Sequence, residues 1–236
     1  MCIRDRGKLR KLGEAKSSRI IVALDDLPGG VSPQSIDIFL EEIAKYVVGI
    51  KIGLPLVLAM DISDVAELIG RFKGDFYFLA DFKLADIPSI VKKELSLIER
   101  NGFDGAILHL FPLGLEEVLN DKDNISLDVF GLVAMSHPEA RLLDQHFGDL
   151  LEYSTRLSLS GVVLPATKPE LIQKARKYLP PRYTIISPGI GAQGAEPGTA
   201  LKHGADFEIV GRMLTMSRDP RDVAEKIVEE QRRWLR

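Results

Sequence analysis

A single (β/α)8 barrel is the fold this sequence predicts, and three observations predict it. From Arg19 onward, short apolar runs alternate with longer amphipathic ones, the pattern of repeated strand and helix units on a parallel sheet. Eight of each can be counted. Charged and polar residues gather just after most of the apolar runs, which places them at one end of such a barrel. No linker or composition shift interrupts the chain, so residues 19–236 read as one domain. An open doubly wound sheet of the same length is the alternative that this alternation leaves.

In order, the strands are expected at 19–24, 47–52, 76–80, 105–110, 128–134, 161–164, 184–187 and 207–211, each an apolar run of strand length. The helices are expected near 33–45, 62–72, 89–101, 115–120, 142–160, 169–178, 198–203 and 220–235, where apolar residues recur at wider spacing. Residues 1–18 are polar and basic, carry no hydrophobic segment of signal-peptide length, and are expected to be a disordered tail. Their opening Met-Cys-Ile-Arg-Asp-Arg resembles the translated remnant of a sequencing adapter, and is set aside as an artefact together with Cys2.

Composition narrows the function classes. With 45% hydrophobic and 28% charged residues, the 236-residue chain can bury a large core. It has no apolar run long enough to span a bilayer, so no membrane association is expected. A net charge of -3 with scattered basic residues gives no reason to expect nucleic acid as a partner. The single cysteine leaves no intramolecular disulfide and no cysteine cluster for a metal, which fits a reducing cytoplasm.

The chemistry centres on Ala80-Asp81-Phe82-Lys83-Leu84-Ala85-Asp86-Ile87-Pro88, which follows the apolar run Phe76-Tyr77-Phe78-Leu79. The charges are expected where that strand ends and a loop begins. Alternation along a strand points Asp81 and Lys83 to one side, with Asp86 a few residues on, so that two carboxylates bracket one amine. Alone, such a group is more often a solvated turn. Here it leaves a fully apolar strand, and it joins a ring of polar residues after the other strands: Asp25 and Asp26, Lys51, His109, Met135-Ser136-His137-Pro138, Ser187 to Gly194, and Gly211-Arg212. A ring at one face carries more weight than any of its members.

Between Pro188 and Gly198 lie the glycines Gly189, Gly191 and Gly194, with Gln193 among them and a helix after. Glycines let backbone N–H groups turn toward an anion, and a helix N-terminus adds partial positive charge. A plain surface loop would read similarly. Gly211-Arg212 tips the balance, because loops after the seventh and eighth strands form the usual phosphate site of these barrels and arginine grips phosphate bidentately. A phosphate monoester substrate follows, with the segment from Pro188 to Gly198 closing over it as a lid.

Together these residues resemble the orotidine 5'-phosphate decarboxylase family, the enzymes that make UMP, in its shorter archaeal-type form. The resemblance runs from Arg19 to the C-terminus. It rests on Ala23-Leu24-Asp25, Ile50-Lys51-Ile52-Gly53, the stretch from Ala80 to Pro88, Met135 to Pro138, Ser187 to Gly194, and Val210-Gly211-Arg212. It implies a cofactor-independent, metal-free decarboxylation of orotidine 5'-phosphate to UMP in pyrimidine biosynthesis. It further implies an alternating network of Lys51, Asp81, Lys83 and Asp86, in which Asp86 serves the neighbouring subunit of a homodimer and Lys83 protonates C6. By the same resemblance Asp25 and Lys51 hold the ribose, Ser136 and Gln193 contact the pyrimidine, and Gln193, Gly211 and Arg212 bind phosphate. Ile87, Pro188, Gly189, Gly191 and Gly194 complete the implied substrate-binding set, and His109 is implied to be supporting structure.

Four residues depart from the family pattern: Ile90, Leu110, Ala195 and Glu208. Glu208 falls in the eighth strand, where an apolar side chain is expected, so a nearby Lys or Arg is expected to pair with it. Among enzymes, the competing reading is the sister group of ketogulonate-phosphate decarboxylases and hexulose-phosphate synthases, which shares the Asp-x-Lys-x-x-Asp core but uses Mg²⁺. That lineage needs an acidic ligand after the second strand, where this chain has Lys51. Outside enzymes, a catalytically silent nucleotide-binding barrel would have no reason to keep like charges crowded together.

Overall fold

The eight apolar runs close on one another in sequence order. The computed structural model describes residues 7–120 and 126–235. Its strands are β1 (Ile20–Leu24), β2 (Val47–Gly53), β3 (Tyr77–Leu84), β4 (Gly105–His109), β5 (Asp128–Leu132), β6 (Gly161–Val163), β7 (Thr184–Ile190) and β8 (Phe207–Val210). Each pairs in parallel with the next, and β1 pairs with β8 to complete a closed barrel. The closed ring decides against the open doubly wound sheet.

Around it run α1 (Lys8–Lys16), α2 (Pro33–Ile43), α3 (Leu54–Ala59), α4 (Ile62–Phe72), α5 (Pro88–Arg100), α6 (Glu116–Leu119), α7 (Arg141–Gln145), α8 (Phe147–Arg156), α9 (Pro169–Tyr178), α10 (Thr199–Lys202), α11 (Arg212–Thr215) and α12 (Pro220–Arg232). Several begin with proline in the first turn, where its missing N–H costs nothing. Ser32 caps α2 in a reciprocal capping box with Ser35. The single helix expected at 142–160 divides instead into α7 and α8, which meet at His146. Among the described residues no helix is long and apolar enough to cross a membrane.

Strand alternation sorts the side chains into two cores. Ile21, Val48, Tyr77, Leu79, Ile107, Phe130, Leu132, Val163, Ile186, Phe207 and Ile209 fill the barrel interior. The alternate residues, such as Ile20, Val22, Leu24, Ile50, Ile52 and Phe78, pack outward beneath the helices. Two irregularities decide what reaches the upper layers. Between Ile20 and Ile21 the β1–β2 register slips by one, which leaves Val48 as an extra inward residue and turns Lys51 toward the axis beside Ala23. A second slip lies between Ala80 and Leu84 on β3, opposite Ala106 and Leu108 on β4. Asp81 and Lys83 therefore lie inside the strand, which runs on to Leu84, rather than in a loop after it; Asp86 follows the strand.

The expectation of a disordered tail is corrected for residues 7–18; residues 1–6 lie outside the described residues. Helix α1 lies across the N-terminal mouth of the barrel and drops Leu9 into the interior core. Its polar face is used as well. Lys8 pairs with Asp104 at 2.7 Å, and Lys16 donates to the carbonyls of Ala44, Val47 and Asp75 at 2.7, 2.8 and 2.6 Å. At the same end Asp104 also accepts the N–H of Phe78 at 2.8 Å. Asp128 accepts from Tyr77 at 3.0 Å and from Ser160 at 2.6 Å, and Asp206 accepts the N–H of Ile185 at 2.8 Å. Burial beside these carboxylates pushes the Tyr77 phenol well above its ordinary value.

Candidate active site

At the opposite, C-terminal mouth the inward positions of three adjacent strands end in charge. Along β1 the inward series Ile21, Ala23 leads to Asp25; along β2, Gly49 leads to Lys51; along β3, Tyr77 and Leu79 lead to Asp81. The Lys51 ammonium lies 3.4 Å from Asp25 Oδ1 and 3.1 Å from Asp81 Oδ2, and the other Asp81 oxygen is 2.9 Å from the Lys83 Nζ. Signs alternate along Asp25, Lys51, Asp81, Lys83. Lys51 and Asp81 are largely shielded from solvent, whereas the Lys83 side chain keeps 40% of its surface exposed. Burial would raise the Asp81 carboxyl, but the Lys51 and Lys83 ammonium groups outweigh it and hold Asp81 below its ordinary range.

Backbone conformation sets this geometry at two places. Lys83 sits in the left-handed region at φ 48°, within the β3 slip, and a non-glycine residue there is strained by roughly 1–2 kcal/mol. The twist brings its amine back onto Asp81. Gly53 makes room for Asp25, since a Cβ at that position would stand 2.5 Å from Asp25 Oδ1.

These groups line a cleft of about 550 Å³, whose walls also carry Ser136, Pro188, Gly189, Gln193, Gly211 and Arg212. The floor is apolar, formed by Ile107, Leu132, Val163 and Ile209 from the interior core. Ser136 is tied to the neighbouring strand's loop by the Thr167 hydroxyl, which donates to its carbonyl at 3.1 Å. Arg212 opens α11, a short helix the sequence reading did not anticipate, and that helix brings Thr215 to the rim with Met216 just beyond it. Helical spacing after Arg212 was the signal that could have found them.

Three expected site residues stand elsewhere. Gly191 and Gly194 do not line the cleft; they turn the segment after β7, where Gly191 N–H donates to the Ala195 carbonyl at 2.8 Å and Gly194 N–H to Gly191 at 2.9 Å. Because β7 runs to Ile190, Pro188 and Gly189 belong to the strand rather than to a free loop. Ile87 is exposed outside the cleft.

Asp86, too, is not brought to Lys83 within the chain. It makes no ion pair among the described residues, and its Oδ1 accepts the N–H of Ile87 at 2.6 Å at the start of α5. It faces a second hollow of about 400 Å³ on the outer side of β3, lined also by Leu54, Ile62, Glu94 and Leu97. Burial, and then the Asp86 charge, raise the Glu94 carboxyl there, and its buried Oε2 has no hydrogen-bond partner.

His109 stands inward at the end of β4, 4.9 Å from the Phe111 ring, with its Nδ1 buried and unpartnered. Burial and the nearby Lys83 charge lower its pKa, with Asp81 opposing. Of the departures, Leu110 is fully buried over Gly131, whose missing Cβ leaves it room. Ala195 keeps its backbone bonds within the turn. Ile90 is exposed in the first turn of α5. Glu208 corrects its expectation: its partners are backbone amides and Gln231, with no Lys or Arg in the set.

Known proteins resemble this chain over most of its length. The family model described as Orotidine 5'-phosphate decarboxylase / HUMPS family matches residues 18–227. The chain is 40% identical over 225 residues to the orotidine 5'-phosphate decarboxylase of Aeropyrum pernix, covering 92% of this chain and 91% of that protein. It is 34% identical to that of Methanococcoides burtonii over 91% of this chain and 98% of the relative. Among solved structures, orotidine 5'-monophosphate decarboxylase from Metallosphaera sedula superposes with a TM-score of 0.79 at 34% identity, covering 92% of this chain and 100% of that one. The Methanocaldococcus jannaschii enzyme, solved with the inhibitor BMP, gives 0.77 at 28% identity over 91% and 98% of the two chains.

Proposed function

The chain belongs to the orotidine 5'-phosphate decarboxylase / HUMPS family and is a carboxy-lyase, and from that premise we propose that it converts orotidine 5'-phosphate to UMP and CO₂ without cofactor or metal. The observation that carries this reading is the alternating Asp25, Lys51, Asp81, Lys83 chain at one end of a cleft whose other wall presents Gln193 and Arg212.

Loss of CO₂ breaks the bond between C6 and the carboxylate and leaves the electron pair on C6. A fixed ammonium aimed at that carbon stabilises the developing charge most, because it costs no reorganisation at the moment of reaction. Lys83 fills this role and then gives C6 a proton, becoming a neutral amine that solvent reprotonates after product leaves. Asp81 holds the lysine in place, and Lys51 holds Asp81 from its other oxygen. Asp25 and Lys51 take the ribose hydroxyls, and Ser136 and Gln193 the pyrimidine. Gln193, Gly211 and Arg212 take the phosphate, with Pro188 and Gly189 as the adjoining wall and Gly191 and Gly194 shaping the turn that closes over it. Contacts with the phosphate, remote from C6, supply binding energy for assembling the charged end.

The active unit is a homodimer in this reading, with Asp86 and Ile87 completing the neighbour's site. Asp86 and Glu94 form an acidic pair with no ion pair among the described residues, in a hollow that Lys83 also lines, beside exposed Leu54, Ile62, Ile87 and Leu97, a face suited to a second copy. The single cysteine accords with a cytoplasmic setting. Against the Mg²⁺-dependent sister group stands Lys51, whose ammonium between Asp25 and Asp81 opposes binding of a divalent cation.

The test is to add orotidine 5'-phosphate to purified, EDTA-treated protein and follow the ultraviolet change. Turnover at the untreated rate is expected. An inert protein, or one revived only by Mg²⁺, would overturn the reading.

A further inference from the structure

Glu208 has no exposed surface and stands outside the catalytic cleft. It points away from the barrel axis, since its neighbours Phe207 and Ile209 fill the interior. Its Oε2 accepts from the Gly198 N–H and from Gln231 Nε2, both at 2.9 Å, and its Oε1 accepts from the Ala200 N–H at 2.9 Å. Gln231 is equally buried, and its orientation is fixed because its own carbonyl accepts the N–H of Arg19 at 3.0 Å. Burial raises the Glu208 carboxyl, opposed by these donors. A buried carboxylate without a cation is costly, so the N–H groups converging on it, with the Leu201 amide beside those three, must compensate it.

What the carboxylate holds is the far end of the phosphate segment. After β7 the chain folds back on itself, with Ile190 bridged to Ala195 and Gln193 at the bend facing the cleft. It then reaches Gly198, at φ 84°, against Trp234. Three residues beyond Glu208, β8 delivers Gly211 and then Arg212. One side chain thus joins both arms of the phosphate grip.

We propose that Glu208 is a positioning residue: it fixes the segment from Gly191 to Gly198 against β8, so that Gln193 and Arg212 meet the 5'-phosphate together. It thereby sets the affinity for phosphorylated nucleotides without touching one. This rests on the phosphate reading of the cleft given above.

Glu208→Gln tests it at constant volume. The new amide oxygen can still accept from Gly198 and Gln231, but its NH₂ then confronts the Ala200 N–H donor to donor, and Gln231 cannot turn to help. Calorimetric titration of the full chain with UMP and with uridine is the measurement. UMP binding is expected to weaken about tenfold while uridine changes less than about twofold. Gln231→Met, which leaves the Gly198 and Ala200 bonds in place, is expected to lower the melting temperature with UMP affinity within about twofold. If Glu208→Gln folds poorly, Glu208→Asp is the substitute, with UMP weakened about threefold as the shorter carboxylate draws back from one loop amide.

Equal weakening of UMP and uridine overturns the proposal, and so does unchanged UMP affinity in a destabilised Glu208→Gln, or the same UMP loss in Gln231→Met. Wild-type protein that binds uridine as tightly as UMP overturns the phosphate reading itself.

Discussion

The two mouths of the barrel use the same residue types for opposite ends. At the N-terminal mouth three carboxylates are engaged by the fold itself: Asp104 holds Lys8 and a β3 amide, Asp128 holds Tyr77 and Ser160, and Asp206 holds Arg176 and a β7 amide. Helix α1 closes over them. At the C-terminal mouth the charges face an open cleft. Asp81 is shared between two lysines, Lys83 remains part-exposed, and the backbone beneath it is strained. Charges tied to backbone amides under a covering helix stabilise a fold, whereas charges paired with one another at the wall of an open cleft are placed to meet a ligand. The difference locates the chemistry without reference to any motif.

Substitutions at the two ends should therefore separate activity from stability. The largest effect is expected for Lys83→Ala, which removes both the electrostatic partner and the acid: turnover should fall by at least about a thousandfold, while calorimetry still detects UMP binding. Substantial residual turnover would assign the chemistry to another group. Asp104→Ala is expected to do the reverse, costing about 2–3 kcal/mol in urea unfolding by leaving a buried β3 amide unpaired, with kcat within twofold of wild type. A matching loss of activity would show that the two mouths are coupled.

The smallest effect concerns acid. Asp81 is held below its ordinary value of 3.8, so the unfolded chain takes up its proton first as pH falls. Its stabilising contribution is present in full above that value and is lost as pH drops through the lower folded-state value. Denaturant titrations across this acid range should show a shallower stability slope for Asp81→Asn than for wild type, and an identical slope would assign the acid sensitivity to other carboxylates.

All eight strands were legible because apolar alternation is a local property, and the strand ends collected most of the cleft residues for the same reason. What escaped depended on contacts between distant parts. Helix α1 buries little beyond Leu9 and Gly13, so its composition reads as a solvated tail; its stability comes from carbonyls and carboxylates at the barrel rim that no local pattern reveals. The α3 segment from Leu54 is apolar throughout and contains a proline, and so matched neither period. The inward turn of Lys51 depends on the slip near Val48, invisible in the letters. Asp86 looked like a second flank for Lys83 by sequence distance alone, yet the chain carries it past the rim to the outer face.

The slip in β3 also constrains anyone who would transplant this chemistry. Four steps along β3, from Ala80 to Leu84, span the distance that two steps cover on β4, from Ala106 to Leu108, and the reactive amine sits in that surplus. An idealised barrel given the letters Asp-x-Lys on a regular strand would lack the slack, and its lysine would come to rest in another layer. The unit to be copied is the kinked segment together with the strand it is out of step with.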